Sequence, residues 1–344
     1  MSTRPRPRRG TAALYRRRRR RALIGAIIAL LLAAAAFAPP LHLLDDGGRG
    51  SPPDLSGSGA PRDDADSAYL STDGWPLQGQ GAYVIGDGRP AVSPHQRPVP
   101  IASVAKVMTA YLVLKHHPLR AGESGPLFTV TQDDVEDTEA RLRGGQSVVP
   151  VSAGEQLTER DALMAILLPS ANNVAVLVAR QVSGSVPAFV EEMNRTAREL
   201  GMSQTTYTDP SGYDDGTVST ALDQLRLARV VAEDETLAAM MATRTHWLPV
   251  AGEVTNTNAL LGHDGFVGMK TGSHQAAGGC LMFRVVWPTG GGDVTLIGVV
   301  LGQRGDSLIT AGHDAAEQLA DRLAPEAYRP HIENPIRAGN APPP

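Results

Sequence analysis

The order of hydrophobic runs constrains the fold of this 344-residue chain more than any other feature. β-rich runs occur near both ends: GAYVIGD and RPAVSP, then GFVGMKTG, GGCLMFRVVWP and DVTLIGVVLGQR. The middle repeats apolar residues at helical spacing, as in IASVAKVMTAYLVLK, LTERDALMAILL, ANNVAVLVARQV, FVEEMNRTARELGM and STALDQLRLARVVAE, and SLITAGHDAAEQLADRL adds a last helix. This pattern predicts an α/β protein in which the terminal segments share one antiparallel sheet and the middle forms a helical lobe.

The N-terminal region has the charge pattern of a membrane anchor. Residues 1–21 contain ten arginines and no acidic residue, and the uncharged run ALIGAIIALLLAAAAFA follows at residues 22–38. Its seventeen residues would span roughly 26 Å as a helix, the lower limit for crossing a bilayer. Because arginines precede the run and Asp45 and Asp46 follow it, we expect a single-pass cell-membrane protein with the N-terminus inside and the remainder outside.

Cleavage of this run is the alternative. The sequence AFA at residues 36–38 has the small-x-small form of a signal-peptidase site, which would give a secreted protein. Two prolines follow it, however, and proline is poorly accepted after the cut, so we favour an uncleaved anchor. The arginine-rich tip could also be a nucleic-acid arm, but membrane topology already accounts for its charge, so no nucleic acid is expected as a partner.

Composition divides the rest of the chain into three parts. Residues 39–74 are rich in Gly, Pro, Ser and Asp and predict a flexible linker. Residues 75–324 hold the hydrophobic runs and predict one folded domain, and the proline-rich residues 325–344 predict a disordered tail. The single cysteine, Cys280, excludes a disulfide within the chain, and its apolar setting predicts a small buried side chain.

Lysine is scarce in this chain. Only three of the 32 basic residues are lysines: Lys106, Lys115 and Lys270. Arginine stays protonated at any working pH, whereas lysine can lose its proton when it is buried or lies near other cations. Lys106 and Lys270 are therefore candidates for a chemical role. Lys115 stands at the end of a helical run and is interpreted as a helix C-terminal charge.

Ser103 and Lys106 form the first candidate motif. The spacing of three residues on a predicted helix over residues 103–114 puts both side chains on one face, so the amine can reach the hydroxyl. A serine needs a base to become a nucleophile, and burial with a second nearby cation can lower the pKa of a lysine by the ~3 units required. A capped helix with a surface lysine is the ordinary structural alternative.

Two further motifs follow along the chain. PSANN places Ser170 and Asn172 at a break between two helical runs, where side chains can project into a cleft or simply cap the second helix. MKTG begins on a predicted strand: Lys270 offers a fixed positive charge, Thr271 a hydroxyl, and Gly272 room for the close approach of a ligand's backbone. An edge strand that turns into a loop is the structural alternative for this third motif.

Together, the three motifs resemble those of the penicillin-binding proteins and serine β-lactamases, and most closely the serine D-alanyl-D-alanine carboxypeptidases. The resemblance includes PIASVAKVMTAY, GGQSVVPVSAGEQLTERDALMAILLPSANNVAVLVA and GHDGFVGMKTGSHQAAGGC, and covers roughly residues 76–323. It departs from many relatives at Ala171, the tolerant middle position of the second motif. It implies a β-lactamase/transpeptidase-like fold, an antiparallel sheet flanked by helices with a helical lobe.

The resemblance also implies a reaction. The enzyme would remove the terminal D-alanine from peptidoglycan stem peptides ending in D-Ala-D-Ala through an acyl-enzyme, and β-lactams would acylate it as inhibitors. The backbone N–H groups of Ser103 and Ser273 would form the oxyanion hole, and no metal or cofactor is expected. The implied catalytic residues are Ser103, Lys106, Ser170 and Asn172, and the implied substrate-binding residues are Lys270, Thr271, Gly272 and Ser273.

Two other functions remain open from the sequence. A class A β-lactamase would need a deacylating glutamate, for which Glu191 and Glu192 are candidates, although both fall in a regular amphipathic helix. A catalytically weak penicillin-binding or regulatory wall protein would keep the pocket without turnover. His274 borders the third motif and is interpreted as a solvent-facing loop histidine.

Overall fold

The structure is a computed structural model that describes residues 74–326 and Tyr328. Four predicted segments lie wholly or almost wholly outside the described residues and stay predictions: the arginine-rich tip 1–21, the membrane anchor 22–38, the linker 39–74 and the tail 325–344.

Strands and helices alternate along the described chain, and a 3-10 turn, Ala102–Ala105, leads directly into the first helix. The strands are β1 (Gln80–Ile85), β2 (Ala91–Val92), β3 (Val99–Pro100), β4 (Leu127–Thr129), β5 (Gln156–Thr158), β6 (Val218–Ser219), β7 (Thr245–Leu248), β8 (Gly252–Thr255), β9 (Phe266–His274), β10 (Gly278–Thr289) and β11 (Gly292–Gln303). The helices are α1 (Lys106–His116), α2 (Gln132–Arg143), α3 (Glu159–Leu167), α4 (Asn172–Ser183), α5 (Val186–Glu199), α6 (Ala221–Glu233), α7 (Glu235–Met241) and α8 (Leu308–Leu323).

The predicted sharing of one sheet by the two ends of the domain is confirmed. Five strands are ordered β2-β1-β11-β10-β9, and each of the pairs is antiparallel. β1 therefore lies beside β11, with Gln80 opposite Leu301, although more than two hundred residues separate them. The short pairs β3–β6, β4–β5 and β7–β8 form separate two-stranded ribbons.

Both faces of the sheet are buried, as β10 shows. Cys280 and Met282 belong to the large hydrophobic cluster that includes the helical lobe, whereas Leu281 and Phe283 belong to a second cluster with Leu319 of α8. Because successive side chains of a strand point to opposite faces, a strand covered on both sides needs apolar residues at every position. This explains why the sequence of β10 reads as a continuous hydrophobic run instead of an alternating one.

α1 is the central helix of the lobe. Its buried residues include Val107, Met108, Thr109, Ala110 and Leu112, so nearly every side of the helix contacts other parts of the protein. A helix that is apolar on all sides has no solvated face, which is typical of the interior of a large domain. The predicted helix over residues 103–114 differs in its first turn, because Ser103 lies in the 3-10 turn and α1 begins at Lys106.

Local signals mark other helix ends as predicted. The Thr158 hydroxyl accepts a hydrogen bond from the Asp161 N–H at 3.0 Å and so caps α3. Gly201, at φ 71°, follows the C-cap Leu200 of α5 in the left-handed region that ends many helices. In the described part of the chain no helix can span a bilayer by itself; taken jointly, α4 and α5, bent at 87°, satisfy the length and apolarity criteria.

Candidate active site

The 3-10 turn and the first residue of α1 bring Ser103 and Lys106 together. Lys106 is fully buried, and its Nζ lies 2.8 Å from Ser103 Oγ. The turn packs against a distant loop so closely that a Cβ on Gly212 would overlap the Ala102 carbonyl. Ala102 itself has φ 47°, a conformation that L-residues rarely adopt. This strained entry to the helix directs the serine side chain toward the lysine amine.

Lys106 has two further hydrogen-bond partners besides Ser103. Its Nζ lies 2.6 Å from Asn172 Oδ1 and 2.8 Å from the Ser211 carbonyl oxygen. Both atoms can only accept hydrogen bonds. A neutral amine has two N–H groups and one lone pair, so donation to these two acceptors leaves the lone pair facing Ser103. The geometry therefore suits an amine that takes the proton from the serine hydroxyl.

The protonation of Lys106 is controlled mainly by burial. Burial lowers the pKa of Lys106 well below its ordinary value, the positive charges of Lys270 and Arg141 lower the same pKa further, and the negative charge of Asp209 raises it. A lysine can act as a base near neutral pH only if its pKa is lowered in this way. Desolvation makes the largest contribution to the lowered pKa, because it penalises the charged ammonium.

Lys270 differs from its predicted role in one respect. It is almost fully buried on β9, and burial lowers its pKa to about 7. Its Nζ donates a hydrogen bond to the Thr271 carbonyl oxygen at 3.2 Å. This differs from a fixed positive charge, because desolvation makes the amine titratable near neutral pH.

The sheet register turns Lys270 toward the helical lobe. Lys270 lies opposite Met282 of β10, and Met282 belongs to the cluster shared with the lobe. Directly opposed residues of an antiparallel pair project to the same face of the sheet. The two lysines therefore lie on the same side of β9, which explains why the charge of one lowers the pKa of the other.

Gly272 has a different neighbour from the one predicted. A Cβ at this position would lie 2.9 Å from the backbone nitrogens of both Ser103 and Val104. The sequence predicts room at this glycine for the approach of a ligand's backbone, but the close neighbour is the protein's own 3-10 turn. The absence of a side chain lets the turn pack directly on β9, beside Thr271, whose hydroxyl lies 2.6 Å from that of Thr257.

The break before α4 positions the second motif. Ser170 has φ 66°, and its buried Oγ has no hydrogen-bond partner within the described part of the protein. A buried hydroxyl without a partner in a rare backbone conformation is typical of a functional site. Asn172 is the first residue of α4, and its Nδ2 donates to Gln146 Oε1 at 2.9 Å. This bond assigns the amide so that Oδ1 faces Lys106.

The loops around the site supply residues that the sequence analysis missed. Ser211 provides the backbone acceptor for Lys106, and Gln146 holds the amide of Asn172. Asp209 accepts several bonds from the loop that contains Ser211. The sequence DPSG predicts a turn, but it does not predict that the Ser211 carbonyl accepts a hydrogen bond from Lys106. Only the folded chain identifies these three contributors.

His274 was predicted to be a solvent-facing loop residue, and this is wrong. It is the last residue of β9, its side chain is 19% exposed, and its Nδ1 accepts from the Ala277 N–H at 3.2 Å and lies 3.5 Å from Asp215. It lines a cavity of about 610 Å³ beside the site. The other residues of this cavity are Tyr213, Asp214, Asp215, Gln275 and Ala276.

The glutamates considered for a β-lactamase do not join this constellation. Glu192 Oε2 lies 2.9 Å from His116 Nε2, and Glu192 forms an ion pair with Arg195, as expected for the amphipathic helix α5. No carboxylate is among the hydrogen-bond partners of Lys106. Across residues 74–326, no group of three or more His, Cys, Asp or Glu side chains could hold a metal ion.

A serine hydroxyl beside a buried lysine amine at the start of a helix defines the class of serine hydrolases that use a lysine as the base. Within that class, the family model described as D-alanyl-D-alanine carboxypeptidase, peptidase S11, matches residues 91–305. The chain belongs to this family. The family prediction from the three motifs is confirmed.

Curated relatives carry two descriptions. The D-alanyl-D-alanine carboxypeptidase DacF of Bacillus subtilis is 30% identical over 186 residues, which are 52% of this chain and 46% of that protein. A D-alanyl-D-alanine endopeptidase of Escherichia coli is 31% identical over 242 residues, or 66% of this chain and 74% of that protein. The chain thus spans about half the length of DacF.

Solved structures confirm the predicted fold. The Streptomyces K15 DD-transpeptidase superposes with a TM-score of 0.62 at 23% identity, covering 72% of this chain and 97% of that one. Penicillin binding protein 5 of Haemophilus influenzae gives a TM-score of 0.61 at 23% identity, covering 71% of this chain and 70% of that one. At this identity the likeness concerns the architecture alone.

Proposed function

We propose that this protein is a serine-type D-alanyl-D-alanine carboxypeptidase that removes the terminal D-alanine from peptidoglycan stem peptides. The observation that carries the proposal is the position of the Lys106 amine, 2.8 Å from the Ser103 hydroxyl and held by two acceptors on its other sides. Family membership supports the substrate class.

In the first half of the reaction, Ser103 attacks the carbonyl carbon between the last two D-alanines while Lys106 takes its proton. The backbone N–H groups of Ser103 and Ser273 bind the oxyanion, and one such donor is typically worth ~2.7–4 kcal/mol of barrier. As the C–N bond breaks, Ser170, whose buried hydroxyl has no partner among the described residues, relays the proton held by Lys106 to the departing D-alanine amine. Water then releases the acyl group from Ser103.

Substrate orientation depends on the third motif. Lys270 and Thr271 hold the terminal carboxylate, and Gly272 lets β9 pack against the turn that carries the nucleophile. Because burial lowers the pKa of Lys270 to about 7, the arriving carboxylate raises that pKa again and draws a proton onto the amine. Binding and protonation of Lys270 are therefore coupled. Asn172 aligns the substrate amide as well as Lys106.

The test measures two products with the full-length protein. Incubation with a diacetylated L-Lys-D-Ala-D-Ala peptide should release free D-alanine, and mass spectrometry after penicillin treatment should locate one adduct on Ser103. The variant Ser103→Ala should lose both, whereas Ser203→Ala, a change at an exposed serine, should keep both. Penicillin attachment to Ser103→Ala would refute the mechanism.

Further measurements on the same protein separate the alternatives. Rapid, repeated hydrolysis of a chromogenic cephalosporin would identify a β-lactamase, and a penicillin adduct without D-alanine release would identify a binding protein. Endopeptidase activity uses the same side chains on a cross-linked peptide, so hydrolysis of a D-alanyl cross-link should be measured in parallel. We favour the carboxypeptidase because the family model that matches residues 91–305 has that description.

The cellular position is a separate part of the proposal. Residues 22–38 anchor the protein in the cytoplasmic membrane, and the folded domain lies outside the cytoplasm, where the wall peptides are. The charge pattern of residues 1–46 supports this topology. Fractionation of cells should recover the protein with membranes, and its N-terminal peptide should be present by mass spectrometry. Release of a shortened protein into the medium would favour signal cleavage.

A further inference from the structure

The loop that begins at Asp209 is organised around one carboxylate. Oδ2 of Asp209 accepts from the Ser211 N–H at 3.0 Å, the Ser211 hydroxyl at 2.5 Å and the Tyr213 N–H at 3.1 Å. Oδ1 accepts from the Gly212 N–H at 3.1 Å and the Thr217 hydroxyl at 2.8 Å. A single side chain thus fixes the backbone direction of three successive residues.

The same loop is attached to the catalytic elements on two sides. The Thr109 hydroxyl of α1 donates to the Pro210 carbonyl at 2.6 Å. Gly212 packs against the Ala102 carbonyl, where no side chain would fit. Between these contacts, the Ser211 carbonyl lies 2.8 Å from Lys106 Nζ. The carbonyl would turn away from the amine if the loop relaxed.

We propose that Asp209 is a positioning residue for catalysis: it holds the Ser211 carbonyl as one of the two fixed acceptors that direct the lone pair of Lys106 toward Ser103. The inference rests on the proposed function, because it assumes that Lys106 is the base. Asp209 does not contact Lys106 or Ser103 by a hydrogen bond in the described structure, so its effect passes through the loop and through its charge.

The charge of Asp209 makes the inference testable by pH. Three charged groups face Lys106: Lys270 on β9 and Arg141 on α2 lower the pKa of Lys106, and Asp209 raises it. Removal of the Asp209 charge therefore lowers this pKa further. Lys106 then becomes neutral at a lower pH, and the acid limb of the acylation rate moves to lower pH.

The experiment compares three variants of the full-length protein with the wild type, using the rate of acylation by a fluorescent penicillin between pH 5 and 10. Asp209→Asn keeps the size of the side chain but replaces one of the two accepting oxygens by an NH₂ group, so it removes the charge together with two or three of the five hydrogen bonds. It should move the acid limb down by on the order of one pH unit. Asp209→Ala should lower the plateau rate at least 30-fold. Asp87→Asn, at an exposed aspartate of the turn between β1 and β2, should change neither.

Each outcome decides the inference. An acid limb of Asp209→Asn that coincides with that of the wild type overturns it, since a purely structural role would lower the rate equally at every pH. A folded Asp209→Ala with a plateau within threefold of the wild type also overturns it. If Asp209→Ala does not fold by circular dichroism, Asp209→Asn alone decides. Failure of the wild type to acylate at Ser103 would instead refute the proposed function.

Discussion

Lys106 and Glu159 are the two most instructive residues to compare. Each is the first residue of a helix, α1 and α3, and each is fully buried. Burial moves both toward their neutral forms: it lowers the pKa of Lys106 and raises the pKa of Glu159 to about 7. Lys106 has three hydrogen-bond partners, whereas neither carboxylate oxygen of Glu159 has one among the described residues.

The difference shows what burial alone cannot do. The Glu159 carboxylate lies 3.5 Å from His117 Nδ1, but no hydrogen bond joins the two groups. Its shifted pKa is a cost of folding. At Lys106 the same desolvation acts on a group whose lone pair is aimed at a serine, so the shift is useful to catalysis. A perturbed pKa indicates a site only when the partners define a reaction.

The largest expected effect is at Lys106. Lys106→Met keeps the length of the side chain and removes the base, so the penicillin acylation rate should fall at least ~10³-fold while thermal unfolding shows a folded protein. Lys115→Met, at a lysine that is 46% exposed and paired with Glu199, should retain the rate. An acylation rate above one tenth of the wild type in Lys106→Met would contradict the claim that Lys106, unlike Glu159, acts as a catalytic base.

Lys270 is an intermediate case, because burial also lowers its pKa and its amine donates a hydrogen bond to the Thr271 carbonyl oxygen. Lys270→Met should lower kcat/KM for a peptide ending in a free carboxylate by about 100-fold, because a charge-assisted bond of ~2–3 kcal/mol is lost. The matched substrate is the same peptide with a C-terminal amide. If the substitution lowers kcat/KM equally for the carboxylate and the amide peptide, Lys270 does not recognise the carboxylate.

Glu159→Gln should increase stability at pH 8. The unfolded carboxyl ionises at its ordinary 4.5 and the folded one at about 7, so the folded state holds the proton between these values. Stability therefore falls as pH rises through this window, and the loss is complete above pH 7. Glutamine cannot ionise, so the variant should be more stable than the wild type by about 3 kcal/mol at pH 8 and by less than half of that at pH 5.

Urea denaturation at both pH values measures this difference. Glu139→Gln, at an exposed glutamate of α2, should change stability little at either pH. An equal gain for Glu159→Gln at pH 5 and pH 8 would contradict the titration and favour a packing effect. Penicillin acylation should be unchanged in Glu159→Gln.

Gln146→Ala should give the smallest effect. The substitution removes the acceptor of the Asn172 amide, Gln146 Oε1. Because the amide can then turn its NH₂ toward Lys106 in part of the molecules, acylation should slow about 10-fold. Gln132→Ala, at an exposed glutamine that bonds Glu136, is the matched control. Wild-type acylation in Gln146→Ala would show that Lys106 alone orients the Asn172 amide.

Periodicity and turn chemistry predict most of the fold. The runs that became β1, β9, β10, β11 and α8 were assigned from the sequence, and the closing of one sheet by both ends of the domain was expected from their order. The ribbon β4–β5 and α2 were not assigned, because residues 121–160 mix polar and apolar residues without one clear period. Short strands of this kind depend on tertiary pairing.

Sequence by itself predicted the pairing of Ser103 with Lys106, because residues three apart in a helical turn have their side chains on one face. It also determined that the motifs at residues 170 and 270 stand at a helix break and on a strand. Tertiary structure alone decided which groups surround the lysine, since the carbonyl of Ser211 lies 105 residues away along the chain. A contact of that kind depends on the packing of whole helices and loops. Every residue has a backbone carbonyl, so the residue type does not predict which carbonyl will contact the lysine.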